Sequence, residues 1–440
     1  MDTKRYIDQL ILFDDIRNDE IIGRISDVLY NTTPETVEDA SHDAYYSTQR
    51  RLLQNVGKGE ITGNYLQDYI CRLIAGDQNV FTLMAEAGRF RGLRRGAKAD
   101  EIAEKLDTTA RAVFLLAAGE VKMIRSIYKF DFEKITGNAD GRNVAAFEAL
   151  SGETFSHREF VHKALTVSKS IDATIMLADY YRSFGTGIFE ATPAFDLGAD
   201  GLVPIKNLDP ITMDDIVGCE SQKQMLINNA QVLLRGLPAN NILLYGDSGT
   251  GKSSSVKALL NMYSSRGLKM VCVSKEHLSS LPDVMEEITG RGLRFLIFID
   301  DLSFEGNESG YKIFKSIMEG SACARPKNAI FVVTSNRRNI VKEVWNDRRD
   351  QDDVHLRDNL QEKRSLADRF GITLVYSEPS KSEYLAIVRH IAKKAGLALP
   401  DEELVSEALK WEIRHGGRSG RAARQFVDYC IGLSGLNEKG

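Results

Sequence analysis

A glycine-rich stretch at residues 246–254 has the residue types and spacing that hold phosphate groups. It fits the pattern G-x-x-x-x-G-K-S/T and consists of Gly246, Asp247, Ser248, Gly249, Thr250, Gly251, Lys252, Ser253 and Ser254. The glycines let successive backbone N–H groups turn toward phosphate oxygens, and a helix that begins at Lys252 adds its positive N-terminal end. Lys252 is expected to reach the β- and γ-phosphates of a nucleotide, and the Ser253 hydroxyl is expected to ligate Mg²⁺.

The residues on either side give this stretch the structural context that the motif requires. An apolar run at 242–245 precedes it, and Val256, Leu259 and Leu260 follow it at helical spacing. The succession of apolar run, glycine-rich turn and amphipathic segment indicates strand, phosphate loop and helix. This context favours nucleotide binding over a chance match to the pattern.

Two later apolar runs also end in polar side chains. Residues 295–299 lead into Asp300 and Asp301, and residues 329–335 lead into Asn336. A buried strand that ends in a carboxylate delivers it to the sheet edge where parallel sheets bind ligands. Asp300 is therefore predicted to hold Mg²⁺, directly or through water. Asn336 is predicted to orient the attacking water or to sense the γ-phosphate.

The chain divides by sequence pattern into four segments. Residues 1–184 have apolar side chains every three or four positions, which indicates an all-α domain. Residues 185–210 are rich in glycine and proline and are predicted to be a linker. Residues 211–378 alternate strand and helix patterns, and residues 379–440 are helical again. The predicted fold class is an α/β P-loop core with a parallel sheet, a C-terminal all-α lid and an N-terminal all-α domain.

The order of these motifs resembles that of AAA+ ATPases. Residues 246–253 match the Walker A motif, residues 295–301 match Walker B, and Asn336 stands at the sensor 1 position. The segment that begins at Ile216 and Val217 resembles the family's segment that lies against adenine. More narrowly, the chain from Leu202 onward is similar to an uncharacterised bacterial AAA+ group, domain of unknown function 815.

This resemblance implies an ATPase that uses ATP and Mg²⁺ and acts as a homo-oligomeric ring. Arg369 would be an arginine finger that reaches the site of a neighbouring subunit, with Arg364 as the alternative. Arg421 would be sensor 2, which holds the γ-phosphate from the lid of the same chain. Two other arginines, each three residues away, are alternatives for that role: Arg418 and Arg424.

Two departures from the family bear on mechanism. Most AAA+ enzymes have Glu directly after the Walker B Asp, whereas this chain has Asp301. Since Asp can still accept a hydrogen bond from water, Asp301 is predicted to activate water, in an enzyme whose turnover is slow or depends on a partner. Residues 274–290 lack the aromatic-hydrophobic-glycine triplet with which threading unfoldases grip substrate, which argues against a protein unfoldase.

Composition adds only weak constraints on function. The chain has 440 residues, a formal net charge of −5 and five scattered cysteines without C-x-x-C spacing, which favours a reduced cytoplasmic setting without a zinc site. No apolar run approaches the ~18 residues of a membrane span, so no membrane association is expected. Residues 89–98 are basic with one aromatic, and are either a phosphate-contacting patch for nucleic acid or a solvated loop.

Three functions follow as hypotheses. The first is an oligomeric ATPase that remodels or loads a macromolecular partner, an unknown protein bound by the helical N-terminal domain. The second is a nucleotide-dependent switch or scaffold that hydrolyses ATP slowly, as Asp301 suggests. The third is a DNA-associated loader, which depends on the basic residues 89–98. A small-molecule P-loop kinase is disfavoured because the sequence has no evident substrate lid for it.

Overall fold

The structure is a computed structural model, which describes residues 7–31, 50, 65–129, 158–303, 309–319, 326–336, 369–415 and 417–437. The chain forms two compact units. The first extends to Ala191 and includes Arg291–Leu293, and the second contains Thr192–Gly290 and the chain from Arg294 onward. In the described residues, no helix is long and apolar enough to cross a membrane.

The first unit is built from helices, which confirms the all-α prediction for its described residues. The helices are α1 (Asp14–Arg17), α2 (Glu20–Asn31), α3 (Tyr65–Gly76), α4 (Val80–Glu86), α5 (Ala99–Lys105), α6 (Thr108–Tyr128), α7 (Glu159–Thr166), α8 (Ser170–Phe184) and α9 (Ile188–Ala191). Helix α6 begins at Thr108 because the Asp107 carboxylate accepts a hydrogen bond from the Ala110 N–H at 2.9 Å, which caps the first turn.

The basic residues 89–98 include the aromatic side chain Phe90, which belongs to the core of the first unit. Its ring stacks on Phe81 at 5.4 Å and lies 5.6 Å from Phe114, and only 5% of its surface is exposed. Arg89 forms an ion pair with Asp107 at 2.7 Å. Phe90 therefore has no free face on which a nucleic-acid base could stack.

The second unit is organised around a seven-stranded sheet. Its strands are β1 (Ala194–Gly198), β2 (Gly201–Pro204), β3 (Ile242–Gly246), β4 (Leu268–Cys272), β5 (Arg294–Ile299), β6 (Ala329–Ser335) and β7 (Ile372–Tyr376). Their order across the sheet is β2-β1-β4-β5-β6-β3-β7, and every neighbouring pair is parallel except β1 with β2. This arrangement confirms the parallel α/β core predicted from the alternating pattern.

The range predicted as a linker, 185–210, contains regular structure. Its strands β1 and β2 form an antiparallel hairpin, and β1 pairs in parallel with β4 from Ala194 opposite Met270 to Asp196 opposite Cys272. The range predicted as a linker therefore includes two strands of the sheet, within residues 194–204. Three of its Gly and Pro residues, Gly198, Gly201 and Pro204, lie at the ends of two short strands near the sheet edge, where such residues are tolerated.

The central strands β5 and β6 are buried on both faces because helices cover the sheet on either side. On one face, Leu296 and Phe298 pack with residues of α10 (Glu220–Leu234) and α11 (Lys252–Tyr263). On the other face, Phe331 meets Phe314 of α13 (Ser309–Glu319) edge-on at 5.9 Å. Helix α12 (Leu281–Ile288) precedes β5. Burial on both faces explains why these strands are continuous apolar runs.

The last three helices form the lid that the sequence predicted after residue 379. They are α14 (Lys381–Lys394), α15 (Asp401–Arg414) and α16 (Gly420–Asn437). Ser380 and Glu383 form a reciprocal capping box at the start of α14, which fixes where the lid begins. The lid has a small core of its own, in which Tyr384, Ala408 and Phe426 are buried.

Candidate functional site

The glycine-rich loop leaves β3 at a point where only glycine fits. Gly246 has a φ of 143°, and a Cβ added there would lie 1.8 Å from the Tyr376 carbonyl oxygen of the neighbouring strand β7. Gly249 and Gly251 have φ values of 76° and 100°, in the left-handed region that favours glycine. The loop then enters α11 at Lys252, so the predicted strand, loop and helix are all present.

Lys252 is a buried residue, 7% exposed, and its ammonium group lies inside the loop. It donates to the carbonyl oxygens of Gly246 at 2.8 Å and Asp247 at 2.7 Å, and to Asn336 Oδ1 at 3.1 Å. An ammonium has three protons, and these three oxygens use all of them. Burial lowers the pKa of Lys252, and the carboxylate of Asp301 is the charge that most opposes this change, followed by Asp247.

Two hydroxyl groups hold the Asp300 carboxylate at the end of β5. Ser253 Oγ of the loop and Thr334 Oγ1 of β6 both donate to Asp300 Oδ1, each at 2.5 Å. Hydroxyl and carboxylate oxygens are the hard ligands that Mg²⁺ prefers. The structure therefore brings together Ser253 and Asp300, the two residues predicted to bind the ion.

Asp301 turns toward the residue that follows β6. Its backbone φ is 50°, a left-handed conformation that is uncommon for a residue other than glycine. Its N–H donates to Thr334 Oγ1 at 2.8 Å, and its Oδ1 accepts from Asn336 Nδ2 at 2.7 Å. Asn336 also accepts from Lys252. Asp301, predicted to activate water, and Lys252, predicted to bind phosphate, therefore contact the same amide group.

The lid meets the phosphate loop at the start of α16. The Gly420 N–H donates to the Gly249 carbonyl at 3.0 Å, and a Cβ on Gly249 would lie 3.2 Å from the Arg421 Cβ. Arg421 and Arg424 line the cavity above the loop. Arg418 is instead ion-paired with Glu412 at 2.9 Å and is not among the lining residues. Of the three candidate arginines, two therefore line this cavity.

The cavity continues from the loop to an apolar end suited to a nucleobase. Its volume is about 1190 Å³, and both Ile216 and Val217 line it, as do Ile387 and Ile391 of α14. Lys223 donates to the Ile216 carbonyl at 2.7 Å and holds this segment in place. The two residues predicted to contact adenine thus line the same cavity as two apolar side chains of the lid helix.

An ion pair joins the lid to the core at the same end of the cavity. Lys394 Nζ lies 2.5 Å from Asp215 Oδ1, and His390 Nε2 lies 3.5 Å from the same oxygen. The pKa of Asp215 is well below its usual range: burial alone would raise it, but hydrogen bonds from Lys394 and from Thr212 outweigh that effect. No residue predicted from sequence indicated the ion pair between Asp215 and Lys394.

The predicted arginine finger lies outside the cavity of its own chain. Arg369 is exposed and immediately precedes Phe370, which is buried, and it is not among the lining residues. Its alternative, Arg364, lies outside the described residues. A role in a neighbouring subunit stays a prediction for Arg369.

Comparison with known sequences places the chain in a family. Residues 191–434, more than half of the chain, match the profile of DUF815, described as "Protein of unknown function". The chain belongs to the DUF815 family. Among curated proteins, no sequence matches this DUF815 protein.

Solved structures that match this DUF815 protein share little sequence with it. It is 16% identical to the RuvB Holliday junction branch migration motor of Thermotoga maritima, over 50% of this chain and 63% of that one, with a TM-score of 0.35. It is 20% identical to the FIGL-1 AAA domain in complex with ADP, over 51% and 74% of the two chains, with a TM-score of 0.33. The match thus spans less than two thirds of the RuvB chain.

Sequence reasoning missed three contributors to the site of this DUF815 protein. Thr334 lies within the run 329–335, which was singled out only for Asn336 after it, and its hydroxyl contacts both acidic residues after β5. Glu378 donates its N–H to Asp247 Oδ2 at 3.1 Å, where β7 passes into the lid. Lys394 forms the ion pair with Asp215 near Ile216, at the end of the cavity proposed for the base. Each contact joins residues at least 33 positions apart, so no local pattern could indicate it.

The site residues of this DUF815 protein fit ATP and Mg²⁺. The loop offers a buried ammonium, Lys252, and the positive N-terminus of a 12-residue helix to the phosphates. Ser253 and Asp300 offer oxygen ligands to the ion, and Ile216 with Ile391 offers apolar surface to the base. In the described residues there is no group of three His, Cys, Asp or Glu side chains that could hold a different metal.

Proposed function

We propose that this protein binds ATP with Mg²⁺ and hydrolyses it as an oligomer, in order to remodel or load a macromolecular partner. One observation carries the proposal: residues from five separate places in the chain meet at one cavity. Lys252 lies in the loop, Asp301 follows β5, Asn336 follows β6, Ile216 precedes α10 and Arg421 begins α16.

The proposed chemistry is stabilisation of charge around the γ-phosphate, with little covalent work for the protein. Lys252 would exchange one of its oxygen partners for a phosphate oxygen, and Mg²⁺ would neutralise charge on the β- and γ-phosphates. Asp301 would accept a hydrogen bond and then a proton from the attacking water. Asn336, which contacts both Lys252 and Asp301, would hold the water between them and the phosphate.

Two arginines would complete the site. Arg421 lies beside the loop, and its positive charge acts on Lys252 by lowering that residue's pKa. It would therefore add charge where the γ-phosphate lies and report the nucleotide state to the lid. Arg369, which is exposed on its own chain, would serve the site of the next subunit. The second role requires an oligomer.

A second candidate is a switch or scaffold that binds ATP and hydrolyses it slowly. The observation that favours it is the geometry of Asp301. Its side chain is one methylene shorter than the Glu usual in AAA+ enzymes, and Asn336 already donates to it at 2.7 Å. That hydrogen bond stabilises the ionised carboxylate, which would make it a weaker base toward water and lower the rate. The third candidate, a DNA-associated loader, loses the support of Phe90, since its ring is buried.

The test combines the rate of ATP hydrolysis with the molar mass of the protein in solution. Phosphate release by the purified full chain is measured with ATP and Mg²⁺, beside Lys252→Ala, and molar mass is measured with and without ATP. The remodelling proposal expects turnover that requires Lys252 and an oligomer that forms with ATP. Tight binding without turnover would favour the switch. A protein that stays monomeric with saturating ATP would refute the role of Arg369.

A further inference from the structure

The side chain of Thr334 occupies the centre of the contacts around the two acidic residues. Thr334 is the sixth residue of β6 and is 1% exposed, so its hydroxyl must find partners within the protein. It donates to Asp300 Oδ1 at 2.5 Å and accepts from the Asp301 N–H at 2.8 Å. One hydroxyl therefore contacts both residues that follow β5.

The contact with Asp300 differs from the one made by Ser253. Both hydroxyls donate to the same carboxylate oxygen, but Ser253 is itself a proposed ligand of Mg²⁺. An ion held by a lone pair of the Ser253 oxygen would set the geometry of that hydroxyl, and its hydrogen bond to Asp300 would have to adapt to the ion. Thr334 lies on the neighbouring strand, with a backbone paired to β3, and keeps its place. It is the partner that can orient Asp300 whether or not the ion is bound.

The contact with Asp301 fixes the direction of that side chain. Asp301 has a φ of 50°, a conformation that costs about 1 kcal/mol or more for a residue with a Cβ and persists only when its surroundings hold it. The bond from its N–H to Thr334 Oγ1 supplies part of that hold, and the Leu302 N–H donates to the Thr334 carbonyl at 2.8 Å. In this conformation the Asp301 carboxylate meets Asn336.

We infer that Thr334 is a positioning residue that sets both the Mg²⁺-binding orientation of Asp300 and the water-facing orientation of Asp301. The inference rests on the proposed function, because it concerns the same site. Partners that orient a metal ligand typically contribute about 10- to 100-fold to metal affinity or activity. The hydroxyl, rather than the β-branched shape, is the group that does this.

Thr334→Val tests the inference because it removes the hydroxyl and keeps the branched shape that a strand favours. We expect ATP affinity measured in EDTA to stay within about twofold of wild type, since Lys252 is unchanged. We expect the Mg²⁺ concentration needed to enhance ATP binding to rise by about tenfold, and kcat to fall by about tenfold or more, with less change in KM. Thr334→Ser, which keeps the hydroxyl, should recover most of both.

Amide hydrogen exchange supplies a readout that needs neither nucleotide nor turnover. With residue-level fragmentation, the Asp301 amide should exchange about tenfold faster in Thr334→Val than in wild type, because its acceptor is gone. The Leu302 amide donates to the backbone carbonyl of Thr334 and serves as the internal control; its exchange should not change.

Three results would overturn the inference. One is Thr334→Val with wild-type Mg²⁺ dependence and wild-type exchange at Asp301. Another is Thr334→Ser behaving like Thr334→Val, which would assign the effect to packing of the methyl group. The third is faster exchange at Asp301 and Leu302 alike, which would indicate general loosening of β6. A wild-type protein that binds ATP without turnover would contradict the proposed hydrolysis, while the Mg²⁺ and exchange measurements would still decide the role of Thr334.

Discussion

Replacing Asp301 with Asn separates hydrolysis from binding at this site. The amide has the same shape as the carboxylate and keeps an oxygen that can accept from Asn336 Nδ2, the contact now 2.7 Å long. The backbone bond from residue 301 to Thr334 Oγ1 does not involve the side chain and should persist. What is lost is one negative charge and the ability to take a proton from water.

The two losses have different magnitudes. Removing a positioned general base lowers kcat by about 10²- to 10⁴-fold, which corresponds to about 3–5 kcal/mol in the activation barrier. Loss of the negative charge of Asp301 favours ATP binding, whereas loss of the base disfavours hydrolysis. Asp301 is the charge with the largest effect on Lys252, so it lies close to where the phosphates would bind, and its removal lessens repulsion by about 1 kcal/mol. We therefore expect a large fall in kcat and ATP affinity that is equal or up to about fivefold tighter.

The assay is steady-state phosphate release together with the equilibrium binding of a fluorescent ATP analogue. Asp247→Asn is the comparison for charge, because Asp247 also raises the pKa of Lys252, and its carboxylate accepts from the Glu378 N–H. We expect its kcat to fall less than about tenfold, since no proton acceptor for water is removed. Asp301→Glu keeps the carboxylate and lengthens the side chain by one methylene, and it should keep or raise kcat.

Asp301→Asn protein that turns over ATP within about twofold of the wild-type rate would refute the role of Asp301 as the general base. Water would then be activated by another group. A fall in ATP affinity to the level of Lys252→Ala would be a different failure. It would mean that the left-handed turn at Asp301 does not survive the substitution, and thermal denaturation would show the accompanying loss of stability.

Three other substitutions have outcomes that the structure fixes in direction. Gly246→Ala should abolish ATP binding and lower the melting temperature, because its Cβ would lie 1.8 Å from the Tyr376 carbonyl; thermal denaturation with and without ATP measures both. Lys394→Ala should speed release of a fluorescent ATP analogue by about two- to fivefold in stopped flow, because the exposed ion pair with Asp215 is lost. Asp77→Asn should raise the melting temperature above pH 7 but not below pH 4, since burial raises the pKa of Asp77 from 3.8 to about 7. The unfolded state releases that proton more readily, so wild-type stability falls between these pH values, by up to about 4 kcal/mol.

Two of these substitutions have a control variant in the chain, and the third has its control in the pH dependence. Gly119→Ala adds a Cβ on helix α6, where nothing lies within 4 Å, and should leave the melting temperature equal or slightly higher. Lys393→Ala, one residue before Lys394 and exposed, should leave the release rate unchanged. A difference in melting temperature between Asp77→Asn and wild type that does not depend on pH would show that lost packing, rather than ionisation, is responsible.

The strands that build the site could be predicted from sequence, whereas the edge hairpin could not. Strands β5 and β6 are covered on both faces, so their residues form continuous apolar runs that end visibly at Asp300 and Asn336. Strands β1 and β2 contain four or five residues each, and Val203 is 55% exposed. A short, partly exposed strand bounded by Gly and Pro has the same composition as a loop, and only its pairing with β4 distinguishes it.

The sequence indicated which residues reach the site but not the contacts between them. Strand order decided that Thr334 would lie beside Asp300, because β6 is the direct neighbour of β5. Three arginines spaced three apart could not be ranked by pattern, since each fits the start of the same lid helix. The structure sets one of them apart by its contacts: Arg418 is paired with Glu412, whereas Arg421 lies against Gly249 and Arg424 lines the same cavity.

The contacts of Asp247 imply that the phosphate loop and the lid respond to nucleotide together. Its carbonyl accepts one of the three protons of Lys252, and its carboxylate accepts from the Glu378 N–H at the point where β7 leads into the lid. A phosphate that binds Lys252 must displace one of that ammonium's three partners, and two of these are loop carbonyls. If the displaced partner is the Asp247 carbonyl, Asp247 shifts, and its contact with the Glu378 N–H shifts too.

Thermodynamic linkage makes this coupling reciprocal. If ATP binding changes the affinity of the lid for a neighbouring subunit or a partner by some factor, then binding of that subunit or partner changes the affinity for ATP by the same factor. This coupling would serve an ATPase motor and a slow switch equally, so it does not depend on the rate that Asp301 supports.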